Sequence, residues 1–239
     1  MDQRTVSNEW NLIEDLPNDW AILARPDLDT TLERWDKEKR SLRDTGKVQQ
    51  LQEHLATRWA IETGIIERLY TIDRGMTETL VAGGLEAIQR FSTTGSISHQ
   101  AARLIEDQRA ALDFVFSFLK EERSLSNSYI KELHQLLTKD QLYTEAVNQF
   151  GTCFETELLR GDWKKLPNNP VTEDGSIHEY CPPDFVQDEM DALISMHAQH
   201  LAEKVPPEVE AAWLHHRFTQ IHPFQDGNGR VARALATMI

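Results

Sequence analysis

The chain of 239 residues lacks most features of secreted and membrane-spanning proteins. It has only two cysteines, Cys153 and Cys181, and their separation does not match a close metal-binding spacing. No run of about 18 apolar residues is present, so no membrane partner is expected, and no signal peptide is visible at the polar start. These absences predict a reduced, cytoplasmic protein without a disulfide framework.

Positive charge is also scarce. The 25 lysines and arginines are outnumbered by 39 aspartates and glutamates, which leaves a formal net charge of −14. Nonspecific nucleic-acid binding depends on many cationic contacts, so we expect no nucleic-acid partner. The remaining composition, 40% hydrophobic and 27% charged, is typical of one globular domain or two tightly joined ones.

Apolar residues recur mostly at helical spacing, which predicts an all-α protein with one small hairpin. One stripe in the N-terminal half consists of Val48, Leu51, Leu55, Trp59, Ile66 and Leu69. Glu62 falls within this stripe, and a carboxylate on an apolar face needs a cation or a donor. The Asp174-Gly175 turn predicts the hairpin within residues 161–180, whereas the pattern of residues 143–159 is ambiguous.

One segment near the carboxyl end is suited to binding a triphosphate, and it reads His222-Pro223-Phe224-Gln225-Asp226-Gly227-Asn228-Gly229-Arg230-Val231-Ala232-Arg233. Gly227 and Gly229 allow a tight turn whose backbone N–H groups converge on phosphate oxygens, and the following helix adds its positive end. Arg230 and Arg233, three residues apart, can both grip the outer phosphates.

The polar residues of this segment suggest roles in nucleotidyl transfer. The Asn228 amide can donate to the α-phosphate, and Asp226 can hold Mg²⁺ that bridges phosphate oxygens. His222 has an ordinary pKa of about 6.5, so it is mostly neutral near pH 7 and can serve as the general base. Phe224 is expected to point into the core and fix the loop.

This segment resembles the signature of the Fic (Fido) family, His-x-Phe-x-Asp/Glu-Gly-Asn-Gly-Arg-x-x-Arg, with every fixed position filled. The resemblance implies a Fic-type helical bundle with a β-hairpin flap, formed by residues 123–239 after an N-terminal helical region of residues 1–122. It also implies a protein adenylyltransferase with ATP as donor and Mg²⁺ as cofactor. The acceptor would be a Ser, Thr or Tyr hydroxyl of an unidentified target protein. Fic proteins often dimerise, so a homodimer stays open.

Many Fic enzymes carry an inhibitory helix with the pattern Ser/Thr-x-x-x-Glu-Gly/Asn, whose glutamate pairs with the second arginine of the motif. The candidate helix here is about residues 47–70, although the strict pattern is absent. Glu62 is expected to face inward, pair with Arg233 and make the enzyme autoinhibited. The alternative is a surface glutamate that pairs with Arg58 or Arg68.

Other functions stay open. The chain could be a non-catalytic module that binds nucleotide and docks partners, or a Fic enzyme that removes AMP or transfers another group. Gly229 argues against the phosphate-transferring Fic branch, which has lysine at this position. His197 and His200 lack the supporting residues of a metal site, so we expect packing or surface roles for them.

Overall fold

The computed structural model describes residues 6–42, 46–147 and 153–239. Within these ranges the helices are α1 (Pro26–Leu42), α2 (Lys47–Ile66), α3 (Arg74–Thr93), α4 (His99–Lys120), α5 (Asn127–Leu137), α6 (Val186–Glu203), α7 (Pro207–Ile221) and α8 (Asn228–Thr237). The strands are β1 (Val6–Asn8), β2 (Tyr143–Val147), β3 (Cys153–Glu157) and β4 (Ile177–His178). Helices dominate, so the predicted all-α class is confirmed. None of the described helices combines the length and apolar character that a membrane crossing requires.

Side-chain caps define where several helices begin. Asp73, Ser98 and Ser126 each accept a hydrogen bond from the backbone N–H three residues later, at the starts of α3, α4 and α5. Helix α3 is interrupted at Gly84, which has a φ of 61° that glycine adopts without steric cost.

Two clusters of buried apolar side chains hold the helices together, and α4 contributes to both. The larger one lies among α4 to α8 and includes Val115, Leu133, Met190, Leu214 and Val231. The smaller one joins α2, α3 and α4 and includes Ile61, Leu80, Ile88 and Ile105. Each such side chain contributes about 1.5–3 kcal/mol when it is fully buried. The larger cluster therefore holds α7 and α8, the two helices on either side of the motif, in a fixed relation.

The buried face of α2 differs from the predicted apolar stripe. Leu51, Leu55 and Ile66 of that stripe are exposed, and the buried residues are mostly small ones, namely Ala56, Thr57, Ala60, Ile61, Thr63 and Gly64. Small side chains allow α2 to approach its neighbours closely. The Tyr70 ring, for example, occupies the space where a Cβ at Gly64 would lie. The predicted orientation of α2 was therefore wrong, and Glu62 lies on its exposed side.

The hairpin predicted within residues 161–180 is a tight turn closed by a single bridge between Val171 and Ile177. The five-pair antiparallel ladder joins β2 to β3, in the segment whose pattern was ambiguous. Apolar and polar residues do not alternate along these strands, so a period of two is hard to recognise in their sequence. The position of the main hairpin is thus corrected, while its presence agrees with the prediction.

His197 and His200 have a structural role in holding α6 against α7. Their Nδ1 atoms lie 2.6 Å from the two carboxylate oxygens of Glu210, and all three side chains are buried. The Nε2 atom of His200 lies 2.6 Å from Asp15, which fastens the N-terminal segment to the same place. Within the described ranges, no group of three or more His, Cys, Asp or Glu residues has the geometry of a metal site.

Candidate active site

The motif loop, residues 222–229, connects α7 to α8 through two left-handed residues. His222 has a φ of 53° and donates its N–H to the Phe218 carbonyl, which ends α7. Gly227 has a φ of 81° directly before α8. A Cβ at Gly227 would crowd the side chains of Thr138, Arg230 and His134, so both the conformation and the close packing require glycine here.

The Asn228 side chain holds the motif loop in shape by two hydrogen bonds to Phe224. Its Oδ1 accepts the Phe224 N–H and its Nδ2 donates to the Phe224 carbonyl, both at 2.8 Å. The Phe224 ring is buried in the core, as the sequence predicted. The Asn228 amide thus has a structural function, and one amide hydrogen remains for the expected contact with an α-phosphate.

His134 anchors the motif loop to α5. Its ring stacks on Phe224 with centroids 3.7 Å apart, and its Nδ1 accepts the Gly161 N–H. The other ring nitrogen, Nε2, therefore carries the proton and donates to the Asp226 carbonyl at 3.0 Å. Burial lowers the pKa of His134 to about 4, so the ring is neutral at physiological pH.

The Asp226 carboxylate is held by three donors. One oxygen accepts from Gln141 Nε2 at 2.7 Å and Thr144 Oγ1 at 3.0 Å, and the other accepts the Gly227 N–H. Burial alone would raise the pKa of Asp226. The nearby Arg230 guanidinium and these hydrogen bonds outweigh burial and hold the pKa below its ordinary value. Asp226 is therefore ionised, as a metal ligand must be.

A cavity of about 660 Å³ opens beside the motif loop. His222, Gln225 and Asp226 form one wall. The other walls come from the β2–β3 hairpin and from the segment after it, and they include Thr144, Ala146, Phe154, Thr156, Leu159, Leu166, Pro167 and Asn168. The candidate base and the candidate metal ligand therefore share one chamber, which is large enough for a small ligand.

His222 is half-buried, and its buried Nδ1 has no hydrogen-bond partner in the part of the chain that the structure describes. The Tyr180 ring packs against it nearly perpendicularly, with centroids 3.8 Å apart. Burial lowers the pKa of His222 to about 3, and the Lys164 ammonium acts in the same direction. The imidazole is therefore neutral at pH 7, as a general base must be before it accepts a proton.

The two arginines of the motif do not share one environment. Arg230 is fully buried and donates to the Leu137 carbonyl at 3.1 Å and to Gln141 Oε1 at 2.5 Å. Its guanidinium also lies 3.9 Å from Asp226. The expectation that Arg230 grips the outer phosphates alongside Arg233 is therefore corrected, because Arg230 is used to brace the loop against the end of α5.

Arg233 is partly exposed and bound to the end of α2. Its Nε donates to Thr63 Oγ1 at 3.2 Å, and its Nη2 donates to Glu67 Oε1 at 2.5 Å. A Cβ at Gly229 would collide with the same Glu67 carboxylate. The carboxylate therefore lies at the first turn of α8, where the positive end of the helix and a guanidinium both attract an anion.

Comparison with known proteins agrees with this geometry. Residues 124–239 match the sequence model of the Fic/DOC family. These residues therefore form a Fic/DOC domain. A Fido domain-containing protein of Dictyostelium discoideum is 39% identical over 61 residues, which are 25% of this chain and 43% of that protein. The match thus spans less than half the length of that relative.

Solved Fic proteins share the fold at low sequence identity. A Fic domain-containing signalling protein from Bacteroides thetaiotaomicron is 21% identical with a TM-score of 0.67, over 86% of this chain and 70% of that chain. Fic-1 from C. elegans is 19% identical with a TM-score of 0.54, over 94% of this chain and 62% of that chain. The Fic-type helical bundle is therefore confirmed.

The expected partner of Arg233 was wrong. Glu62 has a half-exposed side chain that lies 3.3 Å from Arg58, as in the alternative, and Arg58 also pairs with Glu78. The prediction failed because it assumed that the apolar stripe of α2 faces inward. The residue that contacts Arg233 is Glu67, five residues further along the chain.

The sequence does carry a signal for Glu67. Thr63-x-x-x-Glu67 fills the first two fixed positions of the inhibitory pattern, and Arg68 stands where Fic proteins have Gly or Asn. Arg68 nevertheless has a φ of 57°, the left-handed conformation that Gly and Asn adopt most easily. At Arg68 the backbone conformation therefore matches the inhibitory pattern, although the side chain does not.

Proposed function

We propose that this Fic domain transfers AMP from ATP to a hydroxyl group of a target protein. The observation that carries the proposal is the Glu67 carboxylate beside Gly229 and Arg233, since it marks a binding site for an anion. A phosphate group suits this site for the same electrostatic reason as the carboxylate does. The adjoining loop carries an ionised Asp226 and a neutral His222 that line one cavity.

His222 would act as the general base. A hydroxyl oxygen of the target attacks the α-phosphorus, and its proton passes to the imidazole. The new O–P bond forms as the bond from the α-phosphorus to the bridging oxygen breaks, which releases pyrophosphate. The pKa of about 3 describes the site without this substrate. An adjacent triphosphate favours the protonated imidazole, so its binding would raise the pKa toward the range of an effective base.

Asp226 would hold Mg²⁺ in this reaction. A single ionised carboxylate fits Mg²⁺, which commonly takes its other ligands from water and phosphate oxygens. When bound, the ion neutralises phosphate charge at the reacting centre. Gln141 and Thr144 keep the carboxylate oriented toward the cavity, and Arg230 keeps it ionised.

The same proposal includes autoinhibition by Glu67. Arg233 cannot bind an outer phosphate in full while its guanidinium is paired with this carboxylate, and the carboxylate also repels the phosphate. The two side chains are 22% and 24% exposed, so they can separate without unfolding of the core. A Glu67→Gly variant should therefore bind ATP productively and transfer AMP faster than the original chain.

The test uses ATP labelled in parallel at the α- or the γ-phosphate, with Mg²⁺ and a cell lysate as the source of targets. We expect Glu67→Gly to attach the α-label covalently to protein, and the Glu67→Gly/His222→Ala double variant to attach none. Covalent γ-label would contradict AMP transfer in favour of phosphate transfer. Reversible binding of both labels without attachment would identify a non-catalytic nucleotide-binding module.

A further inference from the structure

A buried lysine lies close to the candidate base. Lys164 is 3% exposed, and its ammonium donates to Asn168 Oδ1 at 2.8 Å. Among the described residues, no carboxylate lies within ion-pair distance of it. Burial lowers the pKa of Lys164 to about 8. A buried cation without a counterion destabilises a fold, so its presence here requires another reason.

The segment from Lys164 to Asn168 holds the backbone of the motif loop. The Lys164 N–H donates to the Pro223 carbonyl at 2.8 Å. The Asn168 amide donates to the Phe224 carbonyl at 2.8 Å and to the Gln225 carbonyl at 3.3 Å. Three successive carbonyls after His222 are thus fixed. Because the ammonium binds Asn168 Oδ1, it also decides that Nδ2 faces the loop.

The positive charge of Lys164 also acts on the His222 imidazole. Lys164 lies 5.8 Å from the centroid of the Tyr180 ring, and that ring packs against His222. The groups whose charge affects His222 are Lys164 and His178, which disfavour its protonation, and Asp226, which favours it. Tyr180 is uncharged at neutral pH, since burial raises its pKa above the ordinary value. Lys164 itself is buried, so its charge is only weakly screened.

We propose that Lys164 is a positioning residue for AMP transfer, whose ammonium orients Asn168 against the motif loop and adds to burial in disfavouring protonation of the His222 imidazole until an anionic substrate arrives. Lys164 contacts Asn168, and Asn168 and His222 line the cavity, so a triphosphate bound there would bring negative charge near the ammonium. The kinetic part of this inference rests on the proposed function. The effect of the Lys164 charge on His222 concerns the protein without substrate, so it can be measured whether or not the protein transfers AMP.

The first experiment is an NMR titration of the histidine side chains in the full chain, with the His222 signal assigned by its loss in His222→Gln. Lys164→Met removes both the charge and the donor, whereas Lys164→Gln removes the charge and keeps a donor for Asn168. We expect the His222 midpoint to rise by about one pH unit in both variants. Asn168→Ala, which keeps the charge, should leave that midpoint in place.

Lys120→Met is the matched control, because it removes one lysine charge from the exposed end of α4. It should leave the His222 midpoint unchanged. Burying a methionine in place of an unpaired cation should preserve the fold, and Lys164→Gln provides the same readout if Lys164→Met does not fold. An unchanged His222 midpoint in the folded neutral variants would overturn the inference, even if AMP transfer is found.

The second experiment measures AMP transfer against pH in the Glu67→Gly background. Loss of the Lys164 charge should move the acidic limb of the rate profile to higher pH, by about the shift found by NMR. Asn168→Ala should lower kcat about tenfold through loss of loop position and leave the limb unmoved. If no transfer occurs in any variant, the proposed function fails while the titration still decides the role of Lys164. A limb that stays in place in both neutral variants would contradict that role.

Discussion

The two arginines of the motif lie one helical turn apart and show how this site separates scaffold from ligand binding. Arg230 is fully buried, and its bonds to Leu137 and Gln141 lie inside the protein. Arg233 is partly exposed, and its ionic partner is Glu67, which comes from a distant part of the chain. An exposed pair can exchange its partner at little cost, whereas a buried one cannot. Arg233 is therefore the arginine that can bind phosphate.

The strongest test of this difference compares the loss of each arginine. Arg230→Met leaves the Leu137 carbonyl, Gln141 and Asp226 without their buried partner, so the free energy of unfolding should fall by about 3–5 kcal/mol. Arg233→Met should change it by less than about 1 kcal/mol, because the lost pair is partly solvated. Urea unfolding measures both. Equal losses would contradict the division into scaffold and binding residues.

The two glycines of the motif, Gly227 and Gly229, should also differ in how much their replacement destabilises the fold. Gly227→Ala should lower the free energy of unfolding by about 2 kcal/mol, through an unfavourable φ and contact with Arg230 and His134. Gly95→Ala is the control, because Gly95 has a similar φ of 77° in open space. Gly95→Ala should lower the free energy of unfolding by about half as much as Gly227→Ala does. Gly229→Ala should cost less than Gly227→Ala, since only the Glu67 and Arg233 side chains must move.

The sequence did not predict this division, because the spacing of Arg230 and Arg233 indicates that both bind the outer phosphates. Residues 222–233 are contiguous, so they indicated the loop and the helix start, and their resemblance to the Fic signature indicated the family. The burial of Arg230 depends on Leu137 and Gln141, which the fold brings to it from another helix end. The position of Glu67 depends on the rotation of α2, whose buried face consists of small residues instead of the larger apolar ones. Contacts between distant segments were thus the part that local patterns could not predict.

The buried side of the loop should also make stability depend on pH. The pKa of His134 is lowered to about 4, so between pH 6.5 and 4 the folded chain binds fewer protons than the unfolded chain. The free energy of unfolding should therefore decrease as the pH is lowered through this window. His134 alone should reduce it by about 2 kcal/mol at pH 5 relative to pH 7.

Asp107 acts in the opposite direction, because burial raises its pKa to about 6, but His222 adds to the effect of His134. Urea unfolding at pH 7 and pH 5 checks the sign. His134→Gln should make the dependence shallower, and greater stability at pH 5 than at pH 7 would contradict the account.

The most direct measurement compares AMP incorporation by Glu67→Gly and Glu62→Gly, with α-labelled ATP and Mg²⁺. Both variants remove one carboxylate and introduce glycine near the end of α2, but only Glu67 contacts Arg233. The account predicts about fivefold more incorporation with Glu67→Gly, the factor given by a pair worth about 1 kcal/mol, and no change with Glu62→Gly. An increase with Glu62→Gly alone, or equal incorporation by the unchanged protein and both variants, would contradict this account.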